Sequence, residues 1–102
     1  MFSLRLSALA LAELGERAIF LPVDVTDEAA VAETVARACA HWGRLDACIN
    51  VAGVPGTMRL LERDGSVPAG DVFARTLGVN LAGTFHVMRH CASAFTRNAP
   101  GQ

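Results

Sequence analysis

The sequence contains no tyrosine and no lysine; all nine of its arginine and lysine positions are arginine. Chemistry that passes a proton through a phenol, or that uses an ε-amine, is therefore unavailable within these 102 residues. Cysteine is sparse and odd in number. Cys39, Cys48 and Cys91 make no C-x-x-C pair, which is a poor disulfide framework and points to a reducing, cytoplasmic setting. The net charge is only −1, so the basic footprint that nucleic acid demands is missing. Aromatic residues make up 6%, and no apolar run approaches the roughly 18–20 residues of a membrane span.

What is present is apolar. Hydrophobic residues make up 52% of the chain, enough for the modest core of a single domain. Residues 4–14 are rich in Ala and Leu and read as a helix, with Gly15 at its C-terminal cap. Ala18–Val25 is a short apolar run that reads as a strand, and Pro22 suggests a place at a sheet edge. Thr26 or Asp27 caps a helix over about 28–42, whose apolar stripe is Val31, Val35, Ala38 and Trp42. Leu45–Val51 reads as a second strand, and residues 54–70 as a long loop. A long helix from about Asp71 to Arg97 places Phe73, Leu77, Leu81, Phe85, Met88, Ala92 and Phe95 on one face. Strands alternating with helices in this way imply an α/β chain built on a parallel sheet, here with two strands and three helices.

Three segments carry a family resemblance: Asp24-Val25-Thr26-Asp27, Ile49-Asn50-Val51-Ala52-Gly53 and Val79-Asn80-Leu81-Ala82-Gly83-Thr84-Phe85. In this order and spacing they resemble the short-chain dehydrogenase/reductases, a Rossmann-type family with a doubly wound parallel sheet. From Leu45 onward the chain is most similar to the 3-hydroxyacyl-CoA dehydrogenase type-2 branch. The resemblance implies hydride transfer between NAD or NADP and a hydroxyl or carbonyl substrate, such as a 3-hydroxyacyl thioester or a hydroxysteroid. It also implies roles for particular residues. Asp24 would accept a hydrogen bond from the adenine amino group, and the Val25 backbone would meet the ring edge. Asn50, Ala52 and Gly53 would form the turn beneath the adenosine ribose, where glycine removes a Cβ from the path of the ligand. Asn80 would serve catalysis by holding a water in the proton relay. Val51 departs from the family's second asparagine in that turn.

The resemblance covers the central part of such a domain. A glycine-rich phosphate loop is expected before Asp24, yet the first 23 residues hold a single glycine, Gly15. The family's Ser and Tyr-x-x-x-Lys set has no counterpart here. Residues 1–102 are thus expected to be the middle of an oxidoreductase, inactive alone and binding no cofactor tightly. The competing reading is a noncatalytic interaction module that pairs through helix 71–97. His86 and His90, one turn apart with Cys91 adjacent, have metal-ligand spacing but no completing ligand, so they read as surface histidines and no metal site is expected.

Overall fold

The computed structural model describes residues 11–101. Residues 11–14 are helical and tighten into a 3-10 turn at Gly15–Arg17; residues 4–10 of the expected first helix lie outside the described range. At Ala18 the chain passes into extended backbone. Helix α1 then runs over Glu28–Trp42. Asp27 caps it, its carboxylate accepting from the Ala30 amide at 3.1 Å. Thr26, the other candidate, turns instead to Asp24. Gly43, at φ 81°, ends the helix and donates to the Cys39 carbonyl at 2.7 Å.

The expected long helix forms, with an interruption. Helix α2 covers Asp71–Leu77, a π turn covers Gly78–Gly83, and helix α3 covers Thr84–Phe95. Asn and Gly inside an apolar helix weaken it, and the widened turn falls on the segment that contains Asn80 and Gly83.

The face that packs is not the bulky one. Helix α3 meets α1, and its buried residues there are small: Cys91 and Ala94 are buried, as is Val31 of α1. Leu81, Phe85 and Met88 of the expected apolar stripe are each more than half exposed, and Trp42 also lies out, edge-on to His41. Small side chains let two helix axes approach, so they take the shared face. The large stripe then remains as an uncovered apolar surface.

Glu28 fastens the two helices. Its carboxylate meets Arg89, His90 Nε2 at 3.1 Å and, at 3.7 Å, His86 Nδ1. His86 and His90 are therefore half-buried partners of an acid on the neighbouring helix, and the reading of two surface histidines is corrected. Periodicity within α3 could not reveal a carboxylate some 60 residues earlier.

Residues 18–24 and 45–51 flank this helix pair. Among the described residues no β-ladder forms, and a strand needs a partner for its amides and carbonyls. The chain exposes 7912 Å², where a folded protein of 10.8 kDa shows about 5,500 Å². Its Cα radius of gyration is 17.7 Å, against about 13 Å for a compact domain of this length.

The Glu28 cluster gives a first prediction. Glu28→Gln removes the only acid among the described residues that faces these three basic groups and should lower stability by about 1 kcal/mol, a modest value because the group is 40% exposed. Urea denaturation followed by helical circular dichroism measures it. A variant as stable as the parent would show that the cluster does not hold the helices together.

Candidate functional site

The three resemblance-bearing segments meet at the π turn. Gly83 lies against Val25: a Cβ built on Gly83 would come within 2.5 Å of Val25 Cγ2 and 3.0 Å of its Cβ. One π-helical turn earlier, a Cβ on Gly78 would stand 3.6 Å from the Thr26 methyl. The 24–27 segment therefore lies directly on the widened turn, and only glycine at position 83 permits that distance.

Asn80 joins the second segment to the same turn. Its Oδ1 accepts from the Val54 amide at 2.8 Å, and its Nδ2 donates to the Val54 carbonyl at 2.9 Å. A primary amide carries a donor and an acceptor side by side, so it pairs with one residue's backbone as a neighbouring strand would. Both polar groups of Val54 are satisfied across 26 residues of sequence. A Cβ on Gly53 would stand 3.4 Å from the same Oδ1, so this glycine fits closely beside the amide. The Asn80 main-chain carbonyl accepts from the Thr84 hydroxyl at 3.1 Å.

Asp24 is exposed and held locally. Its Oδ1 accepts from the Thr26 amide at 2.9 Å and from the Thr26 hydroxyl at 2.7 Å. These two bonds, the backbone one first, hold its carboxyl below the usual carboxylate range. Among the described residues Oδ2 takes no hydrogen bond, so an anionic acceptor faces outward at the end of the 18–24 segment. Asn50 and Ala52 are exposed on the turn leading to Gly53, and Asn50 Nδ2 lies 3.8 Å from Cys48 Sγ.

The structure thus brings together Asp24, Val25, Gly53 and Asn80 around one turn. Asn50 and Ala52 sit on the approach and do not touch Asn80 through any side-chain bond among the described residues. Sequence reasoning missed Val54, and gave Thr26 as a possible helix cap without its bonds to Asp24. Those bonds could have been found, because an Asp two residues before a Thr is the pattern of a local carboxylate turn. Val54 could not, because it takes part through its backbone alone.

This arrangement can present an anionic acceptor and a glycine-lined turn to a ligand. No group of three or more His, Cys, Asp or Glu residues among those described is placed to hold a metal ion. No described helix is long and apolar enough to cross a membrane.

Comparison with known proteins agrees with the motif order. A family model described as Enoyl-(Acyl carrier protein) reductase matches residues 4–102. Human 3-hydroxyacyl-CoA dehydrogenase type-2 is 36% identical over 91 residues, which cover 88% of this chain and 35% of that protein. Its Drosophila melanogaster counterpart is 35% identical over 91 residues, covering 88% and 36%. Momilactone A synthase of Oryza sativa is 39% identical over 90 residues, covering 85% and 31%. The chain belongs to the short-chain dehydrogenase/reductase family of oxidoreductases. It spans about a third of the length of these relatives.

Two predictions follow from the site. Gly83→Ala should destabilise the chain by about 1 kcal/mol: overpacking costs about 1–3 kcal/mol, and better helix propensity returns up to about 1 kcal/mol. Adding Val25→Ala should remove most of that penalty in a double-mutant cycle; additive losses would mean the two residues do not touch. The second concerns Asp24. Its folded pKa is lowered, so the Thr26 bonds are intact above the ordinary aspartate value and are lost as pH falls through the folded one. The Thr26 amide resonance should titrate with a midpoint below about 3.9. A midpoint at or above that value would remove the turn.

Proposed function

We propose that this chain forms the adenosine-facing part of an NAD- or NADP-dependent dehydrogenase/reductase. The observation that supports the reading best is the meeting of Asp24-Val25-Thr26, Gly53-Val54 and Asn80 at one helical turn. The residues fit such a ligand. Oδ2 of Asp24 can accept from an adenine amino group, the Val25 backbone can meet the ring edge, and Asn50, Ala52 and Gly53 give the ribose a turn without bulk. The nicotinamide cofactor would supply or accept the hydride.

Asn80 has two parts in this proposal. Its side chain braces the turn after Gly53 through Val54. Its main-chain carbonyl, in the π turn, can hold a water in a proton relay. The intact oxidoreductase would act on a 3-hydroxyacyl thioester or a hydroxysteroid-like alcohol, in keeping with the names of the dehydrogenases it resembles. These 102 residues would not turn over alone, because the acid/base tyrosine and its lysine are not among them.

The fold we propose for the intact domain is a doubly wound parallel sheet. Residues 18–24 and 45–51 would enter it as its third and fourth strands, separated by other strands in the order 3-2-1-4-5-6. A cavity of about 210 Å³ lies between them, lined by Val23, Leu45, Ala47 and residues of α1 and α3.

A second reading keeps its own support. The exposed stripe of Leu77, Leu81, Phe85 and Met88 suits self-association along the 71–95 helix without any cofactor.

A titration separates the two. With NAD at millimolar concentration, amide resonances of Val25, Ala52 and Gly53 should shift, and Asp24→Asn should reduce the shifts. Calorimetry should find no micromolar dissociation constant. Shifts confined to residues 71–95, or concentration-dependent dimerisation with no response to NAD, would put the interaction module first.

A further inference from the structure

None of the three cysteines lies in a resemblance-bearing segment. The structure gathers them from three elements. Cys39 lies on α1, Cys48 on the 45–51 segment and Cys91 on α3. Cys48 and Cys91 line the same apolar cavity, and Cys48 lies near enough to Cys91 to perturb its thiol. Cys91 is buried; Cys48 is half exposed, and can be reached from solvent.

We infer that Cys48 and Cys91 form a reversible redox pair whose disulfide staples the 45–51 segment to helix α3. The two side chains border one cavity of about 210 Å³, which gives both room to turn into bonding geometry. The consequence lies at the site. The segment held by the staple runs on into Asn50, Ala52 and Gly53, and α3 continues the turn that holds Asn80. Oxidation would therefore fix the approach to the ligand-facing turn, and reduction would release it.

The oxidant is a low-molecular-weight disulfide. The Cys48 thiolate attacks one of its sulfurs, forming a mixed disulfide and expelling the first thiolate. Cys91, as thiolate, then attacks Cys48 Sγ and expels the second. Two cysteines lose two electrons, one small disulfide becomes two thiols, and the two cysteine protons pass to the released thiolates. Burial, with the Cys48 thiol alongside, pushes the Cys91 pKa up to about 12. The second step is therefore slow near neutrality and should quicken about tenfold per pH unit.

Chain statistics favour a different product. Cys39 and Cys48 are nine residues apart and Cys48 and Cys91 forty-three, so an unstructured chain closes the shorter loop about ten times more often. The test is to oxidise the whole chain with oxidised glutathione and map the disulfides by mass spectrometry of peptides. The expected product is a monomer lighter by two hydrogens, linked Cys48–Cys91, with Cys39 free and dithiothreitol restoring the thiols. Cys39→Ser should leave this product unchanged, while in 6 M urea, a strong denaturant condition (roughly twice a typical midpoint), Cys39–Cys48 should dominate. A native product dominated by Cys39–Cys48, by disulfides between chains, or by glutathione held on Cys48 without closure would overturn the pair.

Discussion

The absence of a side chain at Gly83 is the constraint on which the rest depends. It lets the widened helical turn rest on Val25, and from that contact the positions of Thr26, Asn80 and the turn after Gly53 follow. A methyl group there would enter the space of half-buried Val25. The helix gives up regular hydrogen bonding over Gly78–Gly83, and in exchange gains a close seat for a loop that carries an exposed carboxylate. Such local departures from regular structure tend to fall at functional sites.

A second feature is the reversal of helix faces. In α3 the small residues meet α1, while Phe85 and Met88, with Leu81 of the π turn, look outward. Together with the exposed Ile49 and Val51, this leaves far more apolar area uncovered than a chain of this mass ordinarily shows. That surface is consistent with a chain that spans about a third of its relatives' length. The Glu28 cluster, the Asn80–Val54 pair and the Asn98–Leu45 bond, at 2.7 Å, are long-range polar ties among the described residues.

Much of this was legible in the sequence. The ends of α1 were marked by Asp27 and Gly43, because caps are local chemistry written within a few residues. The long helix and its disturbance near Asn80 were legible for the same reason. The packing face was not, because periodicity locates an apolar stripe without saying whether a partner covers it. The Val54 pairing was hidden because backbone groups leave no trace in residue type. Glu28 was hidden because its partners lie some 60 residues away. The motif order identified the family, and it also drew attention to Asp24, Gly53 and Asn80. It did not point to the three cysteines, which no motif includes.

The central claim is that one π turn holds both ligand-facing segments in place. Solution NMR of the chain tests it most directly. The account predicts nuclear Overhauser contacts between the Val25 methyls and the Gly83 α-protons, and a Val54 amide protected from hydrogen exchange in a manner lost on Asn80→Ala. A Val54 amide exchanging at unstructured-chain rates, with no contact between Val25 and Gly83, would contradict it.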